Sequence, residues 1–366
     1  MSGALIQLVS KGVQDAYLIS GEGHSFFRTK FTRHTNFSQA PKLIKTINDN
    51  DTSITIPVLG DLINAVWFEG SSNTLTMFYN STIDLYIGGQ KVDSHHFDYY
   101  TDIWSNYLAD TCTKSRDLNS KSSNENPGFI PLHFFFCDHK AFLPLVALQN
   151  HQVEIKINYD QTSLAGLTDE EKKIEVYGNY IFLDKDEREA IIQRQLDLVI
   201  TQVQRVEYKL NTFDGYNALD LSPFNHPVKS LFFGFNATQS DYKIDYFTFT
   251  GADLQINGTY LFENMKPNYF HTVQNYYKSQ YGVSEFDSTR NVMVYTRYFA
   301  YHFCMNASEY SPSGSCNFSR LDNAKMILRG ASVGAGRVPG QPLYIYAVNY
   351  NVLRIKNGLG GVLFGN

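Results

Sequence analysis

Histidine, cysteine and paired carboxylates are the side chains from which a reaction centre would be built, and this sequence spaces them poorly for it. His95 and His96 are adjacent; on a strand such neighbours point to opposite faces, so they cannot chelate one ion and read as surface histidines. His133, His139 and His151 flank Cys137 without the ligand spacing of a zinc site. Cys112, Cys137, Cys304 and Cys316 form no CxxC pair and read as reduced, buried or half-buried thiols. No GxSxG, HExxH, P-loop or helix-opening GxGxxG is present, nor the HxH core of a metal-binding cupin. The expectation is a protein with no catalytic residues, no cofactor and no metal: not an enzyme.

The 366 residues suffice for two domains. An aromatic share of 15%, with 25 Tyr and 27 Phe, leans toward strands, and 25 Gly with 11 Pro suits many turns. The net charge of -5 argues against specific nucleic-acid binding. No apolar run approaches the roughly 20 residues of a membrane span, and Lys11 with Asp15 interrupts any leader-like segment, so synthesis in the cytosol is expected. Without a secretory route the Asn-x-Ser/Thr triplets at Asn36, Asn80, Asn236, Asn257, Asn306 and Asn317 read as chance matches.

The elements that would position these residues are mostly strands. Ile54–Pro57, Asp61–Phe68 and Thr74–Ile87 read as strands, the last running into a Gly88-Gly89 hairpin signal. Residues 110–128 are the most polar and least periodic stretch, a long loop. Ile130–Cys137 is nearly all apolar, as in a strand buried on both faces. Val153, Ile155, Ile157 and Tyr159 alternate with polar residues, the mark of a half-buried strand. Asp184 and Glu187 form a capping box, and Ile192, Leu196 and Val199 supply a stripe, which predicts one linker helix over 185–196.

The second half repeats this logic. Asp253-Leu254-Gln255-Ile256-Asn257-Gly258 echoes Asp84-Leu85-Tyr86-Ile87-Gly88-Gly89. Residues 269–287 read as a loop region. Met293, Tyr295, Phe299, Tyr301 and Phe303 share one parity, predicting a strand with one apolar face that Arg297 interrupts. Leu343–Ile355 reads as an alternating closing strand.

Pro312-Ser313-Gly314, then Asn317-Phe318-Ser319-Arg320 and Asp322-Asn323, resembles the "PSG, then NFSRIDN" segment of the major capsid proteins of nucleocytoplasmic large DNA viruses. Phe26-Phe27-Arg28 with Arg33-His34-Thr35-Asn36-Phe37 resembles the amino-terminal arm of that family. The 130–157, 183–188 and 201–204 blocks and the carboxy-terminal Tyr346-Ala347 to Phe364 block are similar too. Thr259-Tyr260-Leu261 departs from it, lacking an arginine.

The resemblance implies an all-β fold of two tandem eight-stranded antiparallel jelly rolls with a short helical linker: residues 1–196 as arm and first jelly roll, 197–366 as the second. It implies a homotrimeric capsomer of pseudo-hexagonal outline, contacting neighbouring capsomers and minor capsid proteins in the icosahedral shell of a virion. Alternatives are a minor or vertex capsid protein, a glycan-binding jelly roll, and a paired jelly-roll glycan-processing amidase. Residues 323–366 contain no acid while Lys325, Arg329, Arg337, Arg354 and Lys356 are basic; residues 1–48 carry six Lys or Arg against Asp15 and Glu22. Both termini are therefore expected on a face turned toward an internal viral membrane or an acidic partner.

Overall fold

Sixteen principal strands pair into four antiparallel sheets that state one pattern twice. The structure, a computed structural model, describes residues 33–71, 74–111, 114, 128–138, 141–210, 215–235, 247–280, 286–287, 292–293, 298–333 and 342–365. Phe26-Phe27-Arg28, Cys112, most of the 110–128 loop, His139, Tyr295, Arg297 and Arg337 lie outside the described residues.

The first eight strands are β1 (Phe37–Ile47), β2 (Ser53–Ile56), β3 (Leu62–Glu69), β4 (Thr82–Ile87), β5 (Gln90–His96), β6 (Phe129–Pro131), β7 (Val153–Asn158) and β8 (Ile174–Leu183). They form sheets ordered β1-β8-β3-β6 and β2-β7-β4-β5. The next eight are β9 (Leu196–Lys209), β10 (Tyr216–Asp220), β11 (Pro227–Gly234), β12 (Gly251–Ile256), β13 (Thr259–Met265), β14 (Tyr298–His302), β15 (Ala324–Arg329) and β16 (Pro342–Lys356). Their order is β9-β16-β11-β14 and β10-β15-β12-β13, the first pattern shifted by eight. Each half is thus an eight-stranded jelly roll. Cys316–Asn317 pairs with β11, and Leu359–Val362 with the end of β16, as short additions.

The sequence echo marks equivalent hairpins. Gly88 and Gly89 (φ 59° and 80°) join β4 to β5, and Asn257 and Gly258 (φ 47° and 83°) join β12 to β13. Both are two-residue turns with two positive φ angles, which match the twist of the flanking strands. Gly88 has a second reason to lack a side chain: a Cβ there would lie 2.2 Å from His151 Nδ1. That nitrogen lies 3.1 Å from the Gly360 amide, where the carboxy-terminal hairpin folds back on the first sandwich. Gly88→Ala is therefore expected to cost about 2–3 kcal/mol in urea unfolding, combining backbone strain with displacement of His151. Gly89→Ala, with nothing within 4 Å, should cost only about 1 kcal/mol.

Several local expectations change. Over 130–137 only Phe129–Pro131 is strand, because Pro131 has no amide to extend a ladder; Phe135–Cys137 is a 3-10 turn, although Phe134, Phe135 and Phe136 are all buried. Thr74–Met77 is a helical turn ahead of β4. The linker helix, Lys185–Gln193, is capped by Asp184 accepting from the Asp186 amide, but it stops before Leu196. Leu196 and Val199 belong to β9, and no residue of the helix is buried, so the expected stripe is absent. Two segments contain wide, π-type turns: α1 (Tyr99–Leu108), where no element was expected, and α3, which stands where a loop was expected, running Tyr269–Val273 and continuing as the α-helical Gln274–Lys278 (the linker helix being α2).

Of the strand expected over 292–303, the described residues show Val292–Met293 and β14 as strand. Strand β14 is not half-buried. Phe299 lies in one hydrophobic cluster with Leu231, Phe233, Ile345 and Phe249, while Tyr298 and Ala300 lie in another with Phe232, Tyr346 and the first sandwich. The sheet β9-β16-β11-β14 thus has two buried faces, one closing the second jelly roll and one packed on the first. The alternation predicted over 343–355 fails for this reason too.

Candidate functional site

The place where chemistry-bearing side chains do gather is the joint on that second buried face. Strand β5 brings its free edge to β9, the outermost strand of the β9-β16-β11-β14 sheet. Asp93 Oδ1 accepts from the Val203 amide (2.9 Å) and the Ser94 amide (2.9 Å), and Oδ2 accepts from His95 Nε2 (2.8 Å). A carboxylate only accepts, so His95 donates from Nε2, and its Nδ1 lies within hydrogen-bond distance of the Tyr100 hydroxyl (2.9 Å). Gln202 Nε2 donates to the Val92 carbonyl beside it.

His95 and His96 are accordingly not surface histidines: they are 1% and 7% exposed. They do point to opposite faces of β5, but both faces are covered here. His95 stacks on Phe134 with ring centroids 4.8 Å apart. Burial, then the nearby Arg205 charge, holds His96 down at about 3, with Asp102 opposing. His133 lies flat on Trp104 at 3.7 Å, and burial keeps its ring far below the usual histidine range.

Helix α1 supplies the rest of the joint. The Tyr107 ring packs on Phe232 (5.6 Å). Its hydroxyl donates to the Tyr298 carbonyl (2.6 Å) and accepts from His271 Nδ1 on α3 (2.8 Å). Tyr99 stacks toward Tyr346 (6.4 Å), and the Arg205 guanidinium lies 3.7 Å above the Tyr344 ring. At the far end, Asn150 donates from its amide to the Gly358 carbonyl (3.0 Å), and the Val362 amide donates to Gln90 (3.2 Å).

This arrangement holds sandwiches together and has little to offer a substrate. A cavity of about 260 Å³ opens beside it, lined in part by Trp67, Trp104, His133, Cys137 and Lys229. Desolvation pushes the Cys137 thiol up to about 12, so it is no thiolate at neutral pH. Lys229 is 5% exposed and its ammonium is tied to the Glu309 carbonyl (2.7 Å). Cys137, Cys304 and Cys316 are free thiols, and no group of three metal-ligating side chains occurs among the described residues. The basic residues near the termini are partly engaged: Lys45 with Asp51, Arg329 with Asp253, and Arg354 with Asp197.

Two tandem jelly rolls locked by a polar joint define a double jelly-roll shell protein. Two family models match in series, "Major capsid protein N-terminus" over residues 25–184 and "Large eukaryotic DNA virus major capsid protein" over residues 187–361. The major capsid protein of Pyramimonas orientalis virus is 31% identical over the whole of both chains, and that of Paramecium bursaria Chlorella virus 1 is 30% identical over the whole of both. Among solved structures, the chain of the PBCV-1 virus capsid superposes with a TM-score of 0.76 at 25% identity, over 93% of this chain and 100% of that one. The Faustovirus major capsid protein, 9% identical, shares the fold at a TM-score of 0.64 over 95% of each chain. The chain belongs to the family of major capsid proteins of large eukaryotic DNA viruses. It is a structural protein of the virion, not an enzyme.

Proposed function

We propose that three copies of this chain form a pseudo-hexagonal capsomer that tiles with neighbouring capsomers into an icosahedral shell. The observation that carries this reading is the duplication itself. Two sandwiches with one strand order, fixed to each other, give each chain two like lobes and three chains six. Six similar lobes tile with sixfold neighbours, and sheets packed face to face keep each tile rigid. The division into jelly rolls at 196/197 is supported by the two family matches, which meet near it, and by β9 opening the second strand set.

Minor capsid proteins are the further partners this reading calls for. An anionic inner surface would meet chiefly the exposed Lys42 and Lys356, since Lys45, Arg329 and Arg354 already have acidic partners. Synthesis belongs to the host cytosol. Multi-angle light scattering of the purified chain is expected to return about 125 kDa, three times the 41.7 kDa chain. A stable monomer at high concentration would refute the capsomer.

A further inference from the structure

The joint inside the chain has a second copy of its parts, and the end of the second helix, at Tyr276 and Tyr277, is exposed. Helices α1 and α3 follow the fifth strand of their respective sandwiches, β5 and β13. They align at an offset of 170 residues: Tyr99 with Tyr269, Tyr100 with Phe270, Ile103 with Val273, and Tyr107 with Tyr277. Tyr107 is 1% exposed because it seats on the outer face of β9-β16-β11-β14. Tyr277 is 74% exposed, and Tyr276 beside it 79%.

The receiving face is duplicated as well. On β9-β16-β11-β14 the outward Phe232, Tyr298, Ala300 and Tyr346 are at most 1% exposed. The same face of β1-β8-β3-β6 carries one transverse row in register across its four strands, Leu43–Tyr177–Trp67–Pro131. Trp67 and Tyr177 stack at 5.7 Å, yet both are only half-buried and Leu43 is 48% exposed.

Charge makes the two joints different. Residues 266–280 contain Lys266 and Lys278 and no acid; within the chain Lys266 Nζ donates to the Thr250 carbonyl (2.8 Å) and Lys278 Nζ to the His302 and Cys304 carbonyls (3.0 and 2.9 Å), uncharged acceptors that leave both positive charges unneutralised. Glu69 and Glu175 stand directly opposite each other beside the Trp67–Tyr177 row, where Glu69 accepts from Trp67 Nε1 (2.6 Å) and Glu175 from the Tyr177 hydroxyl (2.7 Å), a like-charge pair whose remaining repulsion an incoming cation would relieve. Inside the chain the signs are reversed: α1 brings Asp98 and Asp102 to the sheet that carries Arg205, and all three act on Tyr298.

We propose that α3 of one copy docks on the outer face of β1-β8-β3-β6 of a second copy, with Tyr277 seated against Trp67 and Tyr177. This deepens the capsomer reading and rests on it. The contact is head to tail, helix of one chain on sheet of the next, and such contacts close into rings when their rotation divides the circle. Internal and intermolecular joints then alternate around six lobes. The opposite charge signs keep each helix on its own sheet, which excludes the wrong order of lobes.

Tyr277→Glu puts a carboxylate against Glu69 and Glu175. Light scattering is expected to return a 41.7 kDa monomer where the unaltered chain is trimeric, with the unfolding temperature of the monomer unperturbed because the side chain is exposed. Adding Glu69→Lys and Glu175→Lys to the same chain should restore the trimer. A Tyr277→Glu chain that trimerises as well as the unaltered one overturns the docking. So does a monomer that the two lysines do not rescue, since Tyr277 then meets some other surface. An unaltered chain that is itself monomeric overturns the capsomer reading and the docking together.

Discussion

Asp93→Ala is expected to lower the free energy of unfolding by about 3–5 kcal/mol, measured by urea denaturation at neutral pH. The carboxylate is buried and holds three donors from two parts of the fold: the Val203 amide of β9, the Ser94 amide and His95 Nε2. Each buried donor left unpaired costs about 1–3 kcal/mol, far more than the bond itself contributes in net terms. Alanine also frees the free edge of β9 at the point where β5 meets it, so the first structure lost is the seating of one sandwich on the other. Asp93→Asn separates these effects. Its amide oxygen still accepts from Val203, but its NH2 faces the proton on His95 Nε2, so the bond to the ring is lost. Asparagine should therefore cost about half as much as alanine. Equal losses would mean that the Val203 contact carries no weight and that the histidine is the whole effect.

How far the sequence reveals this joint depends on which residues are asked. The hairpins at Gly88-Gly89 and Asn257-Gly258 are legible because paired positive φ angles restrict the residue types at those positions. Strand β7 is legible because only one of its faces is buried, and Val153, Ile155 and Ile157 mark that face. In β11, β14 and β16 strand character is legible but the burial of the second face is not, since a face packed on another domain is as apolar as a face in a core. Ser230 and Lys229 are both almost fully buried on β11, and nothing in residue type distinguishes them from solvent-facing positions. The two helices escaped for a different reason. Tyr99-Tyr100 and Tyr269-Phe270 have the composition of strands, and their helical form is set by the joint into which α1 is pressed. The one signal that would have found them is the internal repeat, at an offset of 169 residues in the hairpin echo and of 170 residues from Tyr99/Tyr269 to Tyr107/Tyr277. His95 and His96 were misplaced because strand geometry tells which way each side chain points and not what covers it.

Acidification should weaken the same joint more than any single substitution. His96, His271 and His302 are all buried near it, and desolvation is the first cause of a lowered pKa in each: to about 3 for His96 and His302 and about 4 for His271, with Lys229 and Lys278 adding to the effect at His302. A neutral His302 bonds Ser230 through Nδ1 (2.8 Å), and His271 meets Tyr107. Because their folded values lie below the unfolded value of 6.5, the unfolded chain takes up protons that the native chain refuses as pH falls through 6.5. Stability is therefore fully present above about pH 6.5 and is lost progressively down toward pH 3–4. At pH 5 each histidine costs about 2 kcal/mol, or about 6 kcal/mol for the three. Depressed carboxylates such as Asp197 and Asp220 do not contribute there, since their ordinary values already lie below pH 5. Urea unfolding at pH 7.5 and pH 5.0 measures the difference directly. The triple variant His96→Gln, His271→Gln, His302→Gln should be less stable at pH 7.5 and lose most of the slope, with His133, buried against Trp104 and held far below the ordinary histidine value, keeping the remainder. A triple variant that keeps the full pH slope would place the titrating groups elsewhere and leave these histidines as packing alone.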